Sequence, residues 1–294
     1  MIKSKKFKAP ATSANLGPGF DCLGLALPFY DELEVFWSDN LSDKFDYDQL
    51  VELQGRYIDV PNDNRNLLYK LIDNELIQNG FGAVKFHLRC VNSIPHARGL
   101  GSSSAAIILS LKAADAILND LTKGTQRVNI FSRALEIEGH GDNVAPCFYG
   151  GCQLVTLNSE VVQIPVHKNL KALVQVNSEP CSTKDAREAL PKQIFRSLAV
   201  KNTASVATLI MALINGDNEL LFQGTEDFVH QDFRKNVYPE SLNRVKKLRE
   251  LGIATAISGA GSTIISLKFG NFGDLSKIVH HENNEKWEVL HFGL

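Results

Sequence analysis

Cysteine pairs, an excess of charge of one sign and a long apolar run are all missing from this chain of 294 residues. The five cysteines, Cys22, Cys90, Cys147, Cys152 and Cys181, are odd in number and scattered. None forms a Cys-x-x-Cys pair or stands at ligand spacing from a histidine. A disulfide scaffold and a zinc site are therefore set aside, and free thiols in a reducing compartment are expected. Lys and Arg number 31 against 33 Asp and Glu, for a net charge of −2. The one basic concentration is Lys3, Lys5, Lys6 and Lys8, which reads as a solvated edge, so no nucleic-acid partner is expected. The longest apolar run is interrupted by Lys112 and Asp115, and the N-terminus lacks the apolar core of a signal sequence. Neither secretion nor membrane insertion is expected, and the location is read as cytoplasmic. No internal repeat or low-complexity segment is visible.

What is present is an ordinary globular balance, 44% hydrophobic and 22% charged, in a chain long enough for two domains sharing one cleft. The segments read as mixed helix and strand, an α+β composition. A strand leads into the turn-rich "NLGPGF", a second strand follows, and "DELEVFW" alternates as a third. Asn66 to about Gln78 reads as a helix stopped by Asn79-Gly80, and "AVKFHLRCVNSIP" as a strand. Ser102 to Leu118 is apolar almost all round, which predicts a buried helix. "RVNIFSRALEIEG" predicts another. After Gly150-Gly151, the segment "ALVQVNS" resumes strand structure, two helical stretches follow, and "IATAISGAGSTIISLKF" reads as strand, glycine turn, strand. The boundary is placed near Thr156, giving residues 1–155 and 156–294.

Three clusters carry chemistry. In "HARGLGSSSAA", Gly99 and Gly101 let backbone N–H groups approach an anion, and a helix start with free N–H groups follows directly. The serine hydroxyls can donate to phosphate or coordinate Mg²⁺. It is neither a Walker A loop, which needs Gly-Lys-Ser/Thr, nor a dinucleotide fingerprint, whose third glycine is a serine here. A glycine turn with a serine cap is the structural alternative. In "EIEGHGDNVAP", Glu138 falls at a helix C-terminus, where its charge opposes the dipole unless a cation compensates; a polar helix end running into a loop fits as well. In "ISGAGST", Gly259 and Gly261 fit a simple hairpin turn.

Together with "PATSANLGPGFDCLGLAL", these segments resemble, in order and spacing, the GHMP small-molecule kinases, over Ala9 to about Leu267. Of these, "PATSANLGPGFDCLGLAL" and "EGHGDNVAP" look specifically like the branch that phosphorylates L-homoserine. The resemblance implies a two-domain α+β fold, with an N-terminal domain like the second domain of ribosomal protein S5 and a ferredoxin-like C-terminal domain. It implies that Pro95, His96, Ala97, Arg98, Gly99, Leu100, Gly101, Ser102, Ser103, Ser104 and Ala105 form the ATP loop, with Asn66 near the adenine. Ser103 and Glu138 would share Mg²⁺. Homoserine would meet Asn15, Asp21, His140, Asn143, Thr183, Arg187 and Arg234, with Asp21 suited to its ammonium and the arginines to its carboxylate. Glu138, Asn143 and Asp142 are the catalytic candidates, Asp142 because sister kinases for sugars and mevalonate carry their base there. A homodimer is also implied. The third motif usually reads Ser-Gly-Ala-Gly-Pro-Thr; Ser262 replaces the proline, which frees φ and predicts a looser loop. A kinase of the same fold acting on mevalonate or a sugar, and a non-catalytic sensor, are the competing readings.

Overall fold

The computed structural model describes residues 1–38, 49–273 and 286–294. The chain divides into two compact units, interleaved along the sequence. The first holds Met1–Ala11, Phe29–Pro95 and Ser102–His140, and the second holds Thr12–Pro28, His96–Gly101 and Gly141–Leu294. Two long strands, β1 (Lys3–Asn15) and β2 (Gly19–Trp37), run through both and pair with each other.

In the first unit the last third of β2 pairs antiparallel with β4 (Phe86–Asn92), from Glu32 opposite Val91 to Trp37 opposite Phe86. A short strand, β3 (Val51–Gly55), lies parallel to β4 on its other side. The helix α1 (Leu67–Gln78) starts where the sequence predicts, because Asn66 caps it: its side-chain oxygen accepts from Leu68 N–H. The next helix, α2 (Ser102–Leu121), packs on α1 and buries Ile107, Ile108, Leu111, Ala114 and Leu118, as its all-round apolar pattern requires. Its one buried acid, Asp115, is bonded twice by Arg127 and once by Val128 N–H. Packed on α2 is α3 (Ile130–Glu138), which ends at Gly139 in the left-handed conformation.

The alternative reading of "EGHGDNVAP" as a helix end running into a loop holds only as far as Gly139; in the second unit Gly141–Tyr149 form a helix, α4, with Pro146 inside it. Proline removes one backbone donor and crowds the carbonyl four residues back, here that of Asp142. That carbonyl lies against the backbone of Gly24, where a Cβ would collide with it. A glycine far away in sequence makes the room.

The first third of β2 pairs with β5 (Cys152–Val155), which pairs with β6 (Val161–Ile164). The expected separate strands from Gly19 to Trp37 are thus one. Pro28 falls between the residues that pair with β5 and those that pair with β4, so its missing N–H interrupts neither of these two ladders. From β7 (Leu170–Asn177) the chain runs through α5 (Thr183–Glu188), α6 (Arg196–Asn215), α7 (Asn218–Gly224), a 3₁₀ turn (Asp232–Arg234) and α8 (Pro239–Glu250), more helices than the two stretches expected. The strands β8 (Ala254–Ile257), β9 (Ile264–Phe269) and β10 (Trp287–Gly293) then complete an antiparallel sheet in the order β10-β7-β9-β8. One core of this unit gathers Leu173, Ala186, Tyr238, Leu242, Val245, Ile257 and Ile264 between α8 and the sheet. By length and composition, α6 alone among the described residues could cross a membrane, a test that helices of soluble proteins also pass.

Candidate active site

In the first unit, the start of α2 faces the end of α3. Ser103 Oγ donates to one oxygen of Glu138 at 3.1 Å and Ser104 Oγ to the other at 3.2 Å. No basic residue stands in the last turn of α3 to offset the Glu138 charge against the helix dipole. One carboxylate with hydroxyl oxygens beside it is the donor chemistry that Mg²⁺ accepts, since that ion fills its remaining positions with water and phosphate oxygens. Among the described residues no cluster of three or more His, Cys, Asp or Glu offers a protein-only metal site. Asn66 is buried, and both ends of its amide are engaged: the oxygen on Leu68 N–H, the nitrogen on the Pro61 carbonyl at 2.7 Å. His140 closes this unit, half-buried, directly after Gly139.

In the second unit, the segment His96–Gly101 is fastened through its carbonyls. Those of Arg98, Gly99 and Leu100 accept from Thr263 N–H, Ser258 Oγ and Thr12 N–H, and that of Ala97 accepts from Cys181 N–H. Arg98 turns its guanidinium inward, onto the carbonyls of His96, Asn177 and Ser178. The N–H groups of Gly99 and Gly101 donate to no acceptor among the described residues. With its acceptors occupied and these donors available, the loop suits an anion. Gly101 has φ +69°, and a Cβ there would strike Thr12 Oγ1 and press Asn143 Oδ1 at 3.1 Å. The glycine is needed both for its backbone angle and for its lack of a side chain.

The third motif closes on the same loop. Ser258 Oγ bonds Ser13 Oγ as well as the Gly99 carbonyl, and Gly259 N–H donates to the Ala14 carbonyl. Asn15, itself at φ +71°, donates to the Gly259 carbonyl and accepts from Asp21 N–H. The turn is more than a hairpin connection. Nor is it loosened at Ser262: that hydroxyl donates to the Glu179 carbonyl, its own carbonyl accepts from Ser241, and the residue is buried. Serine replaces the fixed φ of proline with one side-chain hydrogen bond, to the Glu179 carbonyl.

Beside Asn15 the second unit gathers charge. Arg187 and Asp21 form a bidentate pair at 2.7 and 3.1 Å, about one-third exposed. Thr183 lies exposed at the start of the same short helix as Arg187. Arg234 is buried, with Nε donating to the Ala186 carbonyl at 2.7 Å and Nη1 to His230 Nδ1 at 3.2 Å. Both guanidinium groups lie by the Phe20 ring, 5.6 Å (Arg187) and 5.2 Å (Arg234) from its centre. The two arginines, distant in sequence, are neighbours. Asn143, in the first turn of α4, accepts from Thr12 Oγ1 at 2.7 Å, and the buried Asp142 accepts from Asn143 N–H. Burial, followed by the charges of Asp142 and Asp21, pushes the Cys22 thiol up to about 11, so Cys22 stays protonated here. Phe20, His230 and Asp227 were missed in the sequence. The spacing of His230 and Arg234, four residues apart, is the one signal that could have found them.

Residues 66–151 match the GHMP kinase N-terminal domain. The chain is 36% identical over 284 residues to a homoserine kinase of Cutibacterium acnes, covering 95% of this chain and 93% of that one. It is 39% identical over 292 residues to a homoserine kinase of Clavibacter michiganensis subsp. michiganensis, covering 96% and 89%. A crystal structure of homoserine kinase from Cytophaga hutchinsonii superposes with a TM-score of 0.77 at 30% identity, covering 98% of this chain and 93% of that one.

Proposed function

The chain belongs to the homoserine kinases within the GHMP kinases, and on that premise we propose how its residues phosphorylate homoserine. The reaction moves the γ-phosphoryl group of ATP to the side-chain hydroxyl of L-homoserine, giving O-phospho-L-homoserine and ADP on the route to threonine. The transition state asks for in-line positioning and charge neutralisation more than for covalent participation by the protein.

The observation that carries the substrate assignment is the pairing of Asp21 with Arg187. One anion and one cation side by side complement a molecule that offers an ammonium and a carboxylate. In this reading Asp21 takes the ammonium, Arg187 and Arg234 take the carboxylate, and Asn15, Thr183, His140 and Asn143 complete the substrate contacts. Thr12 occupies the Asn143 amide oxygen, which leaves its N–H donors to hold the reacting hydroxyl. Asp142 is the candidate base. Pro95 to Ala105 hold the triphosphate with Asn66 toward the adenine, and Ser103 and Glu138 hold Mg²⁺. The ion, when bound, neutralises charge on the phosphate oxygens; Ser103 and Ser104 orient the Glu138 carboxylate for it. Residues 1–155 are assigned to nucleotide binding and 156–294 to the ferredoxin-like half, in a cytoplasmic homodimer.

A coupled ADP-release assay over homoserine, mevalonate and galactose tests the function. Turnover of homoserine alone is expected. Turnover of mevalonate or galactose with homoserine untouched would overturn it, and no ADP release with any of them would favour a sensor. Mevalonate carries a carboxylate but no ammonium, so Asp21 disfavours it.

A further inference from the structure

We propose that His230 is a positioning residue for the substrate carboxylate, fixing the plane of the Arg234 guanidinium through a neutral imidazole held by Gly17. The proposal rests on the reading of Arg234 as a carboxylate-binding group.

Arg234 is 2% exposed, yet no carboxylate among the described residues lies within ion-pair distance of it. Its hydrogen-bond partners are the Ala186 carbonyl and the His230 ring, both neutral, and its face lies on Phe20. A guanidinium cannot shed its proton, and a buried cation with neutral partners alone is unfavourable unless an anion completes the site. The core arginine is thus poised for an anionic ligand.

His230 sets how that anion is met. The ring is fully buried and its Nε2 stands 2.7 Å from the Gly17 carbonyl. A carbonyl can only accept, so Nε2 carries a hydrogen. Arg234 Nη1 can only donate, so Nδ1 presents its lone pair. The two partners together select one neutral tautomer; a second proton would set N–H against N–H. Burial, the largest influence on this ring, likewise holds it below its usual pKa, and the charge of Arg234 adds to that against the opposing charges of Asp227 and Asp21. Asp227 accepts from the backbone N–H groups of Val229, His230 and Gln231, which fixes the turn that carries the ring. Phe20 stacks on the imidazole at 5.2 Å with 29° between planes. The ring therefore links the Gly17–Asp21 turn to Arg234. Tyr238, buried beside Arg234, is a further neutral group at the guanidinium and brings no anion to it.

The test compares His230→Leu and His230→Gln with the parent enzyme, using homoserine and 3-aminopropan-1-ol, which is homoserine without its carboxylate. Leucine removes both bonds; glutamine can donate to Gly17 and accept from Arg234. His230→Leu is expected to raise KM for homoserine about 10- to 100-fold, leaving KM for ATP and the kinetics of the amino alcohol near parental, with His230→Gln restoring most of the loss. If the leucine variant does not fold, His230→Asn, one methylene short of the glutamine, takes its place with the same expectation. An unchanged homoserine KM in a folded His230→Leu or His230→Asn variant overturns the proposal, as does a glutamine variant no better than leucine or asparagine. A parent enzyme inactive on homoserine would instead overturn the functional reading itself.

Discussion

Replacing Arg187 by lysine separates substrate binding from fold. In the structure Arg187 donates two parallel N–H groups to Asp21. The pair is 37% and 36% exposed, and pairs so wetted contribute at most about 1 kcal/mol to stability. Lysine keeps the charge and part of that, so Tm should fall by no more than about 3 °C. The substrate carboxylate is a different matter. A lysine ammonium cannot reproduce a planar fork, and a charge-assisted hydrogen bond lost at binding is worth about 1.5–3 kcal/mol, or roughly a 10- to 150-fold rise in KM for homoserine. Steady-state kinetics at saturating ATP read that number, and a thermal melt on the same sample reads the stability. Because Arg187 and Arg234 flank the same phenyl ring, the double variant Arg187→Lys/Arg234→Lys should lose less than the sum of the single losses. A parental KM for Arg187→Lys, or an equal penalty for 3-aminopropan-1-ol, would refute the carboxylate assignment.

Glu138→Gln keeps shape and removes the charge that Ser103 and Ser104 orient; kcat should fall on the order of a hundredfold or more with the melting curve intact, and near-normal turnover at saturating Mg²⁺ would show that Glu138 is not a ligand. Gly101→Val forces a branched residue to φ +69° against Thr12, so Kd for ATP by calorimetry should rise far more than Kd for homoserine, with Tm lowered by strain of about 1–3 kcal/mol; an unchanged nucleotide Kd would make this stretch a structural turn. Burial raises Asp31 from 3.8 to about 6 although Ser93 and Ile94 N–H groups bond it. Its contribution to stability is then full below about pH 4 and lost as pH rises through about 6, so Asp31→Asn should flatten that part of the curve of unfolding free energy against pH by up to about 3 kcal/mol; parallel curves would refute it.

The elements legible in the sequence are those whose signals are local. Asn66 at the start of α1, Asn79 at its end and Gly139 at the end of α3 act on their own turns, and the reading found them. What was missed depends on partners far along the chain. Pro146 reads as a stop in isolation, but it sits within α4, beside the Asp142 carbonyl that lies on Gly24. Pro28 likewise reads as a break, although it marks the change of partner along one continuous strand. At Ser262 the loss of a rigid φ was legible, while the hydroxyl bond to Glu179 that offsets it was not.

The same distinction explains the site. Motif residues were legible by type, but their types leave open what holds them. Asp21 and Arg187 were read as hands for opposite ends of a substrate; the fold joins them to each other. That pairing bears on specificity. Two side chains that already neutralise one another gain little from a ligand of a single charge, because binding a carboxylate at Arg187 leaves Asp21 without its cation. A zwitterion replaces both halves of the pair at once, exchanging one pair of charge-assisted bonds for two. Discrimination against a mere hydroxy acid then comes from the charge left behind as much as from contacts made. Arg234 differs in kind: it is buried and has no carboxylate of the described residues beside it, so on the proposed assignment it supplies the attraction that a self-neutralised pair cannot. On the proposed assignment one arginine selects and the other attracts, so lysine at either position should fail in a different way.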